Sequence, residues 1–146
     1  MSVNTRVFHA TSDQVWSVLA DGWMYASWVV GASRIREVDD TWPASGSSIH
    51  HSIGVWPVLI DDRTSVLEVE PGHRIRLRAR GWPLGEAEVD ISLRAVGDEC
   101  EVAIAEHPTA GPGVIVPDAI NDVGLKWRNT ETLRRLAYIA ENRPGG

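Results

Sequence analysis

Cysteine is nearly absent: Cys100 is the only one in 146 residues, so no internal disulfide can form and the fold must be held by packing and hydrogen bonds. Cys100 shares the apolar phase of its strand with Val102 and Ile104, which marks it as a small buried hydrophobe rather than a reactive thiol. No apolar run approaches the roughly 20 residues of a membrane helix. The N-terminus also lacks a basic segment leading into an apolar stretch of roughly 7–15 residues, so the expectation is a cytoplasmic protein with no signal peptide and no integral membrane association. Basic excess is missing too, because a net charge of −6 repels a phosphate backbone and excludes nucleic acid as a partner.

Motifs for several chemistries are likewise absent. The chain has no glycine-rich phosphate loop, no G-x-S-x-G elbow, no C-x-x-C, no H-E-x-x-H and no glycosidase-like carboxylate pair. His50 and His51 are neighbours on a strand, as are Glu106 and His107, so each pair points to opposite faces and cannot chelate one ion. No metal and no cofactor is expected. With 43% apolar and 23% charged residues and no linker, repeat or low-complexity tract, residues 1–146 read as a single globular domain.

What is present is a strong period of two. Arg74 to Arg80 and Glu86 to Arg94 alternate on both sides of a Gly/Pro turn, which predicts a hairpin setting Arg80 against Glu86, Arg78 against Glu88 and Arg76 against Asp90. The same register sets Ala79, Leu77 and Ile75 against Ala87, Val89 and Ile91 on the other face. Backward, a turn at Pro71-Gly72-His73 pairs Glu70 with Arg74, Glu68 with Arg76, Val69 with Ile75 and Leu67 with Leu77; forward, Gly97-Asp98 pairs Arg94 with Glu101, Leu93 with Val102 and Ile91 with Ile104. Four antiparallel strands therefore share one dry face, and the four arginines belong to a solvated charge ladder.

The ends add a first strand at 3–9, a short helix capped by Thr11 or Ser12, a helical turn near Trp23 to Trp28, and strands near 32–38 and 47–54. A long helix runs from about 117 to 142, giving an α+β fold of one helix against a seven-stranded antiparallel sheet. The C-terminal half of that helix presents Leu133, Leu136, Ala137 and Ala140 to the sheet, but the same stripe continues into Asn129, Lys126 and Asp122. Either a polar or hollow interior lies there, or the helix bends at Gly124 and turns Ile120, Val123 and Trp127 inward.

The segments HATSDQVWSVLADGWMYASWVVGASRI, DDRTSVLEVEPGHRIRLRARG, GEAEVDISL and NTETLRRLAYIAE follow one another along nearly the whole chain. In this order they resemble the SRPBCC, or START-like, superfamily and are similar to its polyketide cyclase/dehydrase branch. Ser12 departs from the pattern, since a proline often stands there, and affects only the helix entry. The resemblance implies a helix-grip fold whose curved sheet wraps the C-terminal helix, with a lipid-binding-like cavity between them for a hydrophobic or aromatic small molecule. Some relatives catalyse ring closure, dehydration or hydrolysis there, others only carry ligands, and some dock a protein partner. A monomer and a homodimer both remain open.

Strand phase nominates the polar residues of such a cavity. With Leu67 and Val69 inward, Asp61 and Arg63 also point inward and Asp62 and Thr64 point out; His51 shares the phase of Ile49 and Ile53, and Glu106 that of Val102 and Ile104. A turn through Gly54 to Val58 would bring His51 beside Asp61 as a catalytic acid/base pair. Arg63, Glu106 and Asn129 are the candidate ligand-binding polar groups, and Trp23, Trp28 and Trp56 the candidate aromatic walls, suited to a flat or ring-containing ligand. Asp61 and Arg63 could equally neutralise each other in water at the sheet rim.

Overall fold

The computed structural model describes the backbone of residues 2–30, 32–55, 58–81, 85–110 and 118–143 and, within these, the side chains other than those at 2, 33, 53–60, 81, 85, 110 and 118–125. Seven strands form one antiparallel sheet: β1 (Ser2–Phe8), β2 (Ala32–Val38), β3 (Ser48–Val55), β4 (Val58–Glu70), β5 (Arg74–Gly81), β6 (Gly85–Val96) and β7 (Glu99–Ala110), in the order β1-β7-β6-β5-β4-β3-β2. Among the described residues three helices complete it: α1 (Ser12–Leu19), α2 (Tyr25–Trp28) and α3 (Asp118–Glu141), with a 3-10 turn over Gly22–Met24 leading into α2. No helix among the described residues is long and apolar enough to cross a membrane.

Thr11 is the cap of α1: its hydroxyl accepts from the Gln14 amide at 3.2 Å, and the Gln14 side chain accepts from the Thr11 amide at 2.8 Å. This reciprocal capping box satisfies two backbone donors that a bare helix start would leave unpaired. Gly22 then lets the chain pass close to β2, because a Cβ there would sit 2.6 Å from Val38 Cγ1. Val38 is β-branched and stiff, so Gly22→Ala should lower the unfolding free energy by about 1–3 kcal/mol, read as a lower urea midpoint at unchanged slope. An unchanged midpoint would mean that β2 yields freely.

The charge ladder forms in the predicted register, with Arg76 opposite Asp90, Arg78 opposite Glu88 and Arg80 opposite Glu86. Ion pairing follows the diagonals as well as the rungs. Arg74 pairs with Asp90, while Arg76 reaches Glu88 at 2.9 Å and Glu68 at 3.6 Å, since twisted strands bring diagonal neighbours within reach of long side chains. The opposite face buries Ile75, Leu77, Val89, Ile91, Leu93, Val102 and Ile104 against Leu133, Leu136, Ala137 and Ala140 of α3. Cys100 is buried in this core, where the Ser12 hydroxyl reaches its Sγ at 3.5 Å.

β4 departs from expectation in two places. A register shift falls between Val66 and Glu68, so Val69 still pairs with Ile75 but it is Val66, not Leu67, that pairs with Leu77. Upstream of this bulge the inward and outward sets are exchanged. In addition, Val55 pairs with Val58, leaving two residues between β3 and β4, and this places His51 opposite Asp62 and Ser52 opposite Asp61. Thr64 is consequently buried, whereas Asp61 and Arg63 are exposed.

α3 packs against β1, β7, α1 and α2. The Asn4 side chain ties it to the sheet edge, donating to Thr130 Oγ1 at 3.0 Å and to the Lys126 carbonyl at 3.3 Å. Lys126 and Trp127 are both exposed and Asn129 is 1% exposed, so of the polar stripe Asn129 enters the interior and Lys126 does not, Trp127 does not turn inward, and the side chains of Asp122, Ile120 and Val123 lie outside those described.

Candidate functional site

Polar side chains from five elements meet the apolar interior. Tyr25 and Trp28 come from α2, His51 from β3, Thr64 from β4, Glu106 from β7, and Arg128 and Asn129 from α3. α2 is only one turn long, and burial of Tyr25 and Trp28 is what anchors it. Their rings meet edge to face at 5.3 Å and 62°. The Tyr25 ring also stacks on His51, with centroids 5.6 Å apart and planes 9° from parallel.

Thr64 joins the two rings through its hydroxyl. Its Oγ1 lies 2.8 Å from His51 Nε2 and 3.0 Å from Tyr25 Oη, both within hydrogen-bond range. His51 is 2% exposed, and burial lowers its pKa from 6.5 to about 4, with Arg36 and His50 acting in the same direction and Asp62 against them. The imidazole is therefore neutral at pH 7. Burial likewise raises the Tyr25 phenol, although the Thr64 hydrogen bond and Arg128 oppose that shift. The site holds uncharged, hydrogen-bonding groups where charge is disfavoured.

Glu106 faces inward as its strand phase requires, and its carboxylate is paired with Arg128. Burial lowers the Arg128 pKa below its ordinary value, against a smaller opposing effect of Tyr25. Besides Arg80 Nε and Glu106 Oε2, which face ion-pair partners, four buried polar atoms have no hydrogen-bond partner among the described residues: Asn4 Oδ1, Trp28 Nε1, His51 Nδ1 and Asn129 Nδ2. Asn4 belongs to the edge strand β1, and the other three come from α2, β3 and α3.

Several predicted site residues lie elsewhere. Asp61 does not pair with His51; its side chain is 54% exposed, accepts a hydrogen bond from Ser52 Oγ at 2.6 Å and lies 3.7 Å from Arg36, and the Ser52 bond is the main reason its pKa is lowered. The His51–Asp61 acid/base pair is thus excluded by the one-residue difference in the β3–β4 register. Arg63 is exposed and sits opposite His50, on the solvent side of the bulged strand, so it does not reach the interior. Trp23 is 60% exposed and lines no interior wall, because the 3-10 turn leaves it facing solvent. Trp56 lies outside the described residues.

Tyr25, Thr64 and Arg128 were not among the sequence-derived candidates. Adjacent apolar residues Val66 and Leu67, which break the alternation, are the signal that would have revealed Thr64 as inward. Among the described residues no group of His, Cys, Asp and Glu is arranged to hold a metal ion. A surface hollow of about 390 Å³ at the β4–β5 turn is lined by Ser45, Glu68, Val69, Glu70, Arg74 and Arg76. Its arginines are already engaged, Arg76 with Glu68 and Arg74 with Asp90, so it offers no uncommitted chemistry.

No protein-family model and no curated protein sequence matches the chain. Solved structures do. Protein CV1439 from Chromobacterium violaceum superposes with a TM-score of 0.71 at 21% identity, over 97% of each chain. The ZhuI aromatase/cyclase from Streptomyces sp. R1128 gives 0.72 at 15% identity, covering 97% of this chain and 93% of that one. Ara h 8.0201 gives 0.67 at only 8% identity, over 96% and 97%. Likeness at such low identity establishes a shared fold, and that fold is the helix-grip arrangement.

Proposed function

We propose that the protein binds a hydrophobic, ring-containing small molecule between the sheet and α3. The observation that carries this reading is that three of the buried polar atoms without a hydrogen-bond partner among the described residues, Trp28 Nε1, His51 Nδ1 and Asn129 Nδ2, stand on three separate elements. Each such atom costs a folded protein about 1–3 kcal/mol, so three together are poor stability design and good recognition design. A ligand oxygen reaching Trp28 or Asn129 would accept the hydrogen bond that the protein leaves unmade. Because His51 is neutral and Glu106 is paired with Arg128, the complementary ligand is uncharged where it meets these groups: a carbonyl or hydroxyl on an apolar ring. The Trp28 ring, which meets Tyr25 edge to face, provides an aromatic surface for it. The name of one structural neighbour, an aromatase/cyclase, is compatible with a ligand of this class.

The flat bicyclic ketone 2-tetralone is a suitable probe. Titrated against tryptophan fluorescence, it should bind saturably with a Kd on the order of 0.1 mM, a modest affinity for so small a molecule. Asn129→Leu should weaken binding about tenfold, the value of one hydrogen bond, and raise protein stability by about 1 kcal/mol by removing a buried amide nitrogen that has no partner among the described residues. Absence of saturable binding into the millimolar range would overturn the reading. So would an Asn129→Leu variant that gains nothing in stability and loses nothing in affinity.

A further inference from the structure

The stacked Tyr25 and His51 rings are bridged by one hydroxyl, and this is more than a binding site requires. Thr64 Oγ1 contacts both Tyr25 Oη and His51 Nε2, and a hydroxyl has one proton to give, so the three groups can be ordered in two ways. In the first, Nε2–H donates to Thr64, Thr64 donates to Tyr25, the tyrosine proton is free to donate outward, and Nδ1 is a bare acceptor. In the second every hydrogen bond is reversed: Tyr25 donates to Thr64, Thr64 donates to Nε2, and Nδ1 carries the proton. Nδ1 has no partner among the described residues, and the bond to Thr64 is the only one that the described residues make with Tyr25 Oη, so each end of the chain keeps an unused hydrogen-bonding position.

We infer that Tyr25, Thr64 and His51 form a proton relay that interconverts the keto and enol forms of a carbonyl ligand held beside it. The inference rests on the binding reading above and adds a reaction to it. Starting from the first arrangement, Nδ1 takes a proton from the carbon next to the ligand carbonyl. The Nε2 proton passes to Thr64 Oγ1, the Thr64 proton passes to Tyr25 Oη, and the tyrosine proton goes to the carbonyl oxygen. One C–H bond breaks and one O–H bond forms; the C–H electron pair becomes the enol double bond and the carbonyl π pair takes the arriving proton. The protein is left in the second arrangement with no net change of charge, and the reverse reaction restores it.

Neutrality is the reason for preferring a relay to a single base. Burial disfavours both an imidazolium at His51 and a phenolate at Tyr25, so either residue acting alone would create an ion in a dry interior. Transferring a proton in at one end and out at the other avoids both ions. Tyr25 and His51 would be the catalytic residues, and Thr64 a positioning residue that acts through them.

The test is deuterium exchange. In D2O, the protons of 2-tetralone beside its carbonyl are followed by proton NMR with the full chain present, against buffer alone. Wild type should accelerate their loss. Thr64→Val, which keeps the shape and removes the hydroxyl, should slow the protein-dependent exchange by about 100-fold, at the lower end of a general acid–base contribution, while the Kd for 2-tetralone stays unchanged. Thr64→Ser should restore it to within a few-fold. Tyr25→Phe, which keeps the ring stack, should show the same loss as Thr64→Val and serves if that variant does not fold. If wild type binds 2-tetralone without exchange above buffer, or if Thr64→Val and Tyr25→Phe exchange at the wild-type rate, the relay is wrong and binding alone stands. If 2-tetralone does not bind, the relay and the binding reading fall together.

Discussion

Arg128→Met should destabilise the protein by about 3 kcal/mol, the lower end of the cost of leaving a buried carboxylate without its partner. Glu106 is buried on β7, and the Arg128 guanidinium pairs with its carboxylate. Arg128 is the more accessible partner, its side chain 39% exposed against 6% for Glu106, so although burial lowers its pKa too, the charge left uncompensated in the interior is that of Glu106. The comparison that isolates this is a double substitution. Glu106→Gln with Arg128→Met should recover most of the loss, because removing both charges leaves no ion in the interior. Urea unfolding at pH 7 measures all three proteins; equal instability of the single and double variants would mean that Arg128 acts by packing instead.

Stability should also fall by about 3 kcal/mol between pH 6.5 and pH 4 because of His51 alone. Its folded-state pKa is lowered, chiefly by burial, from 6.5 to about 4. Below pH 6.5 the unfolded chain binds a proton that the folded one refuses, so the unfolded state gains relative to the native state; the loss is complete when the folded imidazole also titrates near pH 4. Stability therefore rises with pH through this window and is fully present above it. His51→Leu should flatten the slope there. Carboxylates held below their ordinary values, such as Glu88 beside Arg76 and Glu131 beside Arg134 and Arg135, release their contributions only below about 4.5, so the two effects separate in pH. A wild-type slope matching that of His51→Leu between pH 4 and 6.5 would show that His51 is not held neutral by the fold.

Alternation made the sheet legible, and broken alternation hid the site. From Arg74 to Ile104 each strand keeps a strict period of two with turn residues at both ends, so one register satisfied every rung and the structure reproduces it. His51, Glu106 and Asn129 were found the same way, as polar residues on an apolar phase. β4 defeated the method because Val66 and Leu67 are both apolar: counting back from Val69 by twos selects Leu67, then Asp61 and Arg63, while the bulge selects Val66, Thr64 and Asp62. Tyr25 and Trp23 show a second limit. Both belong to a helical stretch of a few residues, too short for any periodicity to say which aromatic ring turns inward, and the answer came from the 3-10 turn that precedes α2.

The bulge in β4 divides the strand into two halves with independent vocabularies. C-terminal to it, Glu68 and Glu70 stand opposite Arg76 and Arg74 and answer to the ladder on the outer face. N-terminal to it, the inward positions answer to α2 and to His51 on β3. Because one extra residue resets the parity between them, substitutions that retune the interior and substitutions that retune the exterior are never forced to compromise over a shared alternation. A single strand can thus serve as scaffold at one end and as chemistry at the other, and the two ends are free to diverge at different rates.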